Sequence, residues 1–474
     1  MADPLSDKNA LDEALRLVTD EAARYLAQLD DAPVRPPSAE PGGSADAPLP
    51  HGGDGALAAL RELVEASTAG ATRSAGPRFF HFVIGGTTPA ATAGDWVAAL
   101  LDQNAGMWTS SPLAATVETV TLGWLKDLFG LPPDWGGVLT PSATFANLTG
   151  LAAARQWWGS RHGRDITAEG LAGLPAMPVF SSGYVHVSVR KALQILGVGR
   201  DTIAVFSRDD AGRVDLDAMD AALERLGAPA VIVACAGEVN AGDFDPIDAM
   251  ADLAEKHGCW LHVDGAFGLF AALSPHTAPL VDGAARAHSV AADAHKWLNV
   301  PYESGFAFVR DPRTLTDAFG SFGAPYLASV DDTQVDYNQL GPESSRRTRA
   351  LPIWATLRAY GRAGHRAMVE RHLDLATHLG RRVDDAPDLE PLAPVKLCIA
   401  CFRYRPSGVP EERLDELNSR LGRELLADGR VYAGTTVYRN RVALRPAIVN
   451  WRTTQRDIDL LVDVVREIGA RISS

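Results

Sequence analysis

The chain has 474 residues, 46% hydrophobic and 22% charged, with a formal net charge of -14 from 45 basic against 59 acidic residues. Such a length holds two or three domains around a large core, in the composition range of ordinary globular proteins. The acidic balance argues against a nucleic-acid partner and no apolar run reaches membrane-spanning length; the opening "MADPLSDKNALDEALRLV" also lacks the basic-then-apolar order of a secretory signal, so a cytoplasmic protein is expected.

Residues 10–30 read as an amphipathic helix. The Pro/Gly-rich stretch "DAPVRPPSAEPGGSADAPLPHGG" from Asp31 cannot form a regular element and reads as an extended arm, either flexible or wrapped on a partner subunit. A helix resumes near Asp54, and "RFFHFVIGG" from Arg78 carries a dense aromatic cluster. In "LTPSATFANLTGLAAARQWW", Ser142, Ala143 and Thr144 stand immediately before a helical pattern. Free backbone N–H groups, two hydroxyls and the positive helix end suit a phosphate there, although ordinary N-capping gives the same pattern. The segment is neither a G-x-G-x-x-G nor a Walker loop.

From about residue 90, short apolar runs alternate with helical ones. Candidate strands are 177–180, 202–207, 230–237, 259–265, 289–295 and 305–310, with helices at Asp217–Leu226 and Ile247–His257 among them. This is the rhythm of a mostly parallel sheet covered by helices. His186, in "SSGYVHVSVRKALQILG", sits at a strand-to-helix junction, placed to lie flat on an aromatic ring or simply to pack. Asp264 closes the strand in "GCWLHVDGAFG", with His262 two residues earlier on the same face. A carboxylate at the carboxyl end of a strand binds a metal, acts as a base, holds a protonated ring nitrogen or caps the turn. The metal option lacks a third ligand at motif spacing.

Lys296 ends the strand run in "SVAADAHKWLNVPYESG", next to His295. An amine desolvated there either snorkels to solvent or becomes a Schiff-base nucleophile. A helical stretch around "RALPIWATLRAYG" leaves the α/β part, and the remainder reads as α+β: a helix from Gly364 to Gly380, the strand "VKLCIACFRY", a helix from Glu411, strands near "RVALRPAIVN" and a last helix from Thr454. Cys235, Cys259, Cys398 and Cys401 fit a reducing compartment, and the one C-x2-C lies in an apolar run, where buried thiols are expected. Each signal is weak alone. A phosphate cradle, a carboxylate for a ring nitrogen, a flat histidine and a reactive lysine together are what pyridoxal 5'-phosphate requires.

With those residues in view, the chain resembles the pyridoxal-phosphate-dependent group II amino-acid decarboxylases, closest to the aromatic branch, from about Phe79 to Ile458. "DAHKWLN" matches the segment in which Lys296 joins the cofactor and His295 lies near the phosphate. "HVDGAFG" implies that Asp264 pairs with the pyridine nitrogen and that Ala266 packs on the ring; "HVSVRKA" implies that His186 stacks on it and takes part in catalysis. "PSATFANLTGLAAAR" carries the phosphate contacts of Ser142, Ala143 and Thr144, while "SPLAATVETVTLGWLKDLFGLP" and "SSRRTRALPIWATLRAYG" match two further family signatures. In "FGAPYLAS", Tyr326 takes the place of the tyrosine that protonates the substrate carbon, which favours simple decarboxylation. The "PRFFHF" cluster and Trp108 are implied as apolar walls of the substrate site.

Four departures accompany the match. Glu238 and Val239 stand where threonines are usual, which passes the ring-hydroxyl contact to Asn240; Asp293 replaces a phosphate-side asparagine, Pro141 a glycine and Phe145 a glutamate. The resemblance implies the fold type I (aspartate aminotransferase-like) α/β architecture, with a mostly parallel central sheet, in three parts: a helical dimerisation arm (1–85), a large cofactor-binding domain (86–362) and a small α+β domain (363–474). It implies a homodimer with the site at the subunit interface and decarboxylation of an aromatic L-amino acid to the amine and carbon dioxide. An aldehyde synthase or aminotransferase on the same fold, and a non-catalytic decarboxylase-like protein, are the alternatives.

Overall fold

The computed structural model describes residues 4–5, 7–35, 48–320 and 334–473. Two helices open the chain, α1 (Leu11–Gln28) and α2 (Ala56–Gly70), and neither contains a buried residue. α3 (Pro89–Leu101) and α4 (Pro112–Phe129) follow; both begin with proline at the first turn, where a missing N–H does no harm.

The central sheet has the order β1-β7-β6-β5-β4-β2-β3. In chain order it is assembled from β1 (Gly136–Thr140), α5 (Ala143–Ser160), α6 (Ile166–Glu169), β2 (Val179–Ser181), α7 (Val187–Ile195), β3 (Ile203–Val205), α8 (Leu216–Leu226), β4 (Val231–Cys235), α9 (Ile247–His257), β5 (Trp260–Asp264), β6 (Ser289–Asp293), β7 (Gly305–Val309) and α10 (Arg313–Phe319). All adjacent pairs are parallel except those of β7, which runs against both β6 and β1. β4, β5, β6 and β7 are buried at every residue. That is why they read as continuous apolar runs rather than alternating ones: helices cover both faces.

Five of the six expected strands contain a real one, and the sixth, 177–180, overlaps β2, which runs one residue further to Ser181. β1 was not expected; its "GGVLT" is glycine-rich, and its position comes from distant partners. Leu139 N–H donates to Glu118 Oε1 (3.1 Å), and Arg346 Nη2 donates to Leu139 O and to Glu118 Oε1, both at 2.7 Å.

α11 (Ala350–Asp384) joins the two expected helical stretches, the one around "RALPIWATLRAYG" and the one from Gly364, across a kink at Gly361, whose φ is 59° and whose backbone is not helical. A second sheet, β10-β11-β9-β8, comprises β8 (Leu389–Pro391), β9 (Phe402–Tyr404), β10 (Thr435–Tyr438) and β11 (Arg441–Leu444). It packs with α12 (Glu411–Asp428), α13 (Gln455–Ser473) and α11 around a separate apolar cluster that includes Leu379, Phe402, Leu421 and Leu461. The expected strand 395–404 is regular only at its end. The residues before β9 bend at Leu397 and Cys398 and pair irregularly, with Ile399 bridged to Ala447 and Ile448 N–H bonded to Cys398 O (2.8 Å). All four thiols are buried and none is in a disulfide.

Candidate active site

The site forms where β5 and β6 end side by side. One cavity is lined by Tyr184, His186, Cys235, Gly237, Val239, Asp264, Ala266, Phe267 and Lys296. Four residues assigned from the sequence therefore meet in it: His186, Asp264, Ala266 and Lys296. Open α/β sheets collect ligands at this edge because strand ends and helix N-termini point there together.

Asp264 is held by a buried hydrogen-bond chain. Its Oδ2 accepts from Asn147 Nδ2 (3.0 Å) and its Oδ1 from the Ala266 N–H (3.2 Å). Asn147 also donates to Ser188 Oγ (3.1 Å) and accepts at Oδ1 from His262 Nε2 (2.8 Å). His262 Nδ1 meets Ser289 Oγ at 2.8 Å, and Ser289 Oγ accepts from Trp260 Nε1 at 2.9 Å. These contacts fix proton positions. Because Asn147 Oδ1 can only accept, His262 carries its proton on Nε2 and accepts at Nδ1 from the Ser289 hydroxyl. Burial pushes its pKa down to about 4, so it is a neutral structural imidazole rather than a ligand.

The same chain reaches His186. Its Nδ1 lies 2.7 Å from Ser188 Oγ and accepts from the Ser188 N–H at 3.2 Å, so the ring caps α7. With Nδ1 accepting, the neutral ring is protonated on Nε2. Burial holds His186 below the usual histidine range; Asp264 opposes that shift, while Lys296 and Arg445 add to it.

Lys296 sits in a turn clamped from two sides. The Gly85 N–H bonds His295 O (3.4 Å), and a Cβ at Gly85 would stand 1.7 Å from Lys296 O, so only glycine allows this approach. On the other side Trp297 Nε1 donates to His372 (2.9 Å), and Asn299 Nδ2 donates to Trp297 O (2.8 Å) and Val449 O (2.9 Å). Lys296 Nζ lies 3.2 Å from Asp293 Oδ2 and 5.9 Å from the Phe267 ring centroid. A strand-end lysine is tolerable here because a carboxylate balances it and the cavity receives it.

At the third corner, Ser142 is the N-cap of α5 but its hydroxyl makes no capping bond. The Ala143 N–H donates instead to Asp293 Oδ1, and Thr144 follows in the first turn. His295 stacks on Tyr302 with ring centroids 4.2 Å apart. The donor set fits pyridoxal 5'-phosphate: a helix N-terminus whose N-cap hydroxyl is uncommitted, for the phosphate, a doubly supported carboxylate, and an amine in one cavity.

Some expected residues lie elsewhere. Asn240 is not among the cavity-lining residues; its amide donates to Glu238 Oε1 and accepts from Thr436 Oγ1. Trp108 packs against the sheet's core, its N–H bonded to Asp336 (2.8 Å). Phe79 and Phe80 are core residues, while Phe82 is exposed with φ 58°. Aromatic lining comes from Tyr184 and Phe267 instead. Tyr326 lies outside the described residues.

Three residues were not anticipated. Asn147 left one trace, an amide on an otherwise apolar helix face. Tyr184 donates to Asp243 Oδ2 (2.9 Å), which also takes Arg213, while Lys396 donates to Asp243 Oδ1. Arg445 is 7% exposed, its Nη1 has no hydrogen-bond partner among the described residues, and its charge is felt by His186 and Glu238.

Fold and site together define a fold type I pyridoxal-phosphate enzyme. The family model "Pyridoxal-dependent decarboxylase conserved domain" matches residues 46–405. The chain belongs to this family, the group II decarboxylases, in the aromatic-amino-acid-decarboxylase-like branch, and its cofactor is pyridoxal 5'-phosphate. A tyrosine decarboxylase of Oryza sativa subsp. japonica is 31% identical over 499 residues, covering 97% of this chain and 91% of that protein. A phenylacetaldehyde synthase of Arabidopsis thaliana is 27% identical over 480 residues, covering 97% and 96%. The crystal structure of Oryza sativa TDC with PLP and tryptamine superposes with a TM-score of 0.91 at 25% identity, covering all of both chains. Such relatives include decarboxylases and aldehyde synthases on one fold.

Proposed function

We propose that this chain decarboxylates an aromatic L-amino acid to its amine and carbon dioxide. The observation that carries the reading is the convergence of Lys296, the doubly bonded Asp264 and His186 on one cavity. Bound pyridoxal 5'-phosphate supplies an electron sink for the pair released when the bond from Cα to the carboxylate breaks. Lys296 would be the point of covalent attachment, and its amine would displace the product amine by re-forming that link. Asp264 would keep a proton on the ring nitrogen, and the Asn147 bond to its Oδ2 would hold it for that role. His186, protonated on Nε2 and lining the same cavity, would stack on the cofactor ring by resemblance and could offer a proton there. Tyr184, Val239 and Phe267 make the cavity partly apolar, which suits an aromatic side chain and limits water.

By resemblance, Tyr326 returns the proton to Cα and so favours amine over aldehyde. The names of the relatives support an aromatic substrate. A homodimer is part of this reading: Trp96, Val97, Leu100 and Leu101 on α3 and Leu113 and Val120 on α4 are exposed apolar residues that a second copy would cover.

The test is product analysis of cofactor-loaded protein given tyrosine, tryptophan, phenylalanine and DOPA. Amine and carbon dioxide in equal amounts are expected. Aldehyde with ammonia and peroxide would replace this reading with the aldehyde synthase, and a keto acid would replace it with the aminotransferase. Hydride reduction followed by mass spectrometry should find the adduct on Lys296; an adduct elsewhere would overturn the site.

A further inference from the structure

The anion position at the start of α5 is filled from within the chain. Asp293, 3% exposed at the end of β6, accepts from the Ala143 N–H through Oδ1. Its Oδ2 lies 3.2 Å from Lys296 Nζ and its Oδ1 3.6 Å from His295 Nε2. Since the Ser142 hydroxyl caps nothing, this carboxylate answers the positive end of the helix. His295 is buried beside it. Strand β7 closes the corner from behind: a Cβ at Gly305 would stand 2.7 Å from the Ser142 backbone. A phosphate seated on the helix end would take the Ala143 N–H away from Asp293, and covalent attachment at Lys296 would remove its ammonium partner. A buried carboxylate would then face a phosphate dianion, and like charges so placed repel strongly.

We infer that Asp293 is a displaceable internal anion: in the free protein it stands in for the cofactor's phosphate at α5 and balances Lys296, and cofactor loading exchanges one anion for the other. The inference rests on the pyridoxal-phosphate reading of the site and concerns occupancy rather than turnover. An asparagine in the same place would still accept from Ala143 but would neither oppose the phosphate nor balance the lysine. The carboxylate therefore gives a more stable free protein and a weaker hold on the phosphate.

Asp293→Asn is the direct test. Binding of inorganic phosphate and of pyridoxamine 5'-phosphate, neither of which can link to Lys296, is measured on the apo protein by calorimetry, beside binding of pyridoxal 5'-phosphate itself. The variant should bind both probes on the order of tenfold or more tightly than wild type, and its apo form should unfold at a lower temperature. Unchanged or weaker binding of pyridoxamine 5'-phosphate by the variant overturns the inference alone. A wild type that takes up no pyridoxal 5'-phosphate overturns the cofactor reading and this inference with it. If the variant does not fold, hydrogen exchange on the wild type decides: the Ala143 amide should be as protected in the apo protein as in the loaded one, and a freely exchanging amide in the apo form refutes the internal cap.

Discussion

Replacing Asn147 by leucine keeps the side chain's size and removes its amide. Three contacts disappear together: the donation to Asp264 Oδ2 at 3.0 Å, the donation to Ser188 Oγ at 3.1 Å and the acceptance from His262 Nε2 at 2.8 Å. Asp264 keeps only the Ala266 N–H, and the His262 Nε2–H is left unpaired at a fully buried ring. A hydrogen bond to a charged group contributes about 1.5–3 kcal/mol, and an orphaned buried donor costs about 1–3 kcal/mol. The folded state should therefore lose about 3–5 kcal/mol. Asn147 touches no reacting atom, so it acts through Asp264 as a positioning residue. Its loss should also weaken cofactor binding by roughly tenfold, as Asp264 loses one of its two supports. Thermal unfolding of the apo protein and cofactor titration followed by absorbance measure the two effects separately. If both stay within about 0.5 kcal/mol of wild type, the chain from Ser289 to His186 does not support the site as described.

Three further outcomes are expected. Gly85→Ala should abolish hydride-trappable cofactor at Lys296, because the new methyl would overlap the lysine's carbonyl oxygen 1.7 Å away; normal labelling would refute the clamp. Glu118→Gln should destabilise the protein by about 3–5 kcal/mol, since Arg346, its side chain 2% exposed, would lose its buried countercharge; an unchanged urea midpoint would contradict this. Stability should also fall as the pH drops from about 6.5 to about 4: burial pushes His81, His262 and His288 down to about 4 and His372 to about 3, so the unfolded chain binds more protons in that window. His262 alone contributes up to about 3 kcal/mol, while Asp245, raised to about 7 by burial, works in the opposite sense and loses stability as the pH rises. A flat unfolding profile across the window would refute the balance.

What the sequence disclosed followed from whether its signals were local. α9 occupies the expected Ile247–His257 because Gly258 stops it in the left-handed region, and α8 begins one residue early because the Asp215 side chain caps it at the Ala218 N–H. Lys296, Asp264 and the turn before α5 were legible as motifs because each is a short stretch at a strand end. β1 was not legible, since an antiparallel pairing with β7 and a bond to Glu118 give no local pattern. Asn147 and Asp264 lie 117 positions apart, and periodicity cannot report that contact. Asn240 went astray for the complementary reason: a polar residue in the right loop was assigned to the cavity, while Glu238 and Thr436 take its amide.

One packing relation places most of the site. β5 and β6 run parallel in the register His262 to Ser289 and Asp264 to Ala291. Side chains alternate with period two, so His262, Asp264, Ser289, Ala291 and Asp293 share one face of the sheet. α5 lies on that face and meets it with Ala143, Asn147 and Gly150, spaced four and three residues apart along one stripe of the helix. Ala143 bonds Asp293, Asn147 bonds both Asp264 and His262, and a Cβ at Gly150 would stand 2.8 Å from the His262 ring. The absence of a side chain at Gly150 lets the helix come close enough for the other two bonds to form. The helix end that offers donors to an anion and the carboxylate that faces the cavity are thus set by the same helix–sheet contact. A shift of α5 by one turn would uncouple them, because the residue opposite Asp264 would then be Ala143 or Leu151, neither of which has a side chain that can hydrogen-bond a carboxylate.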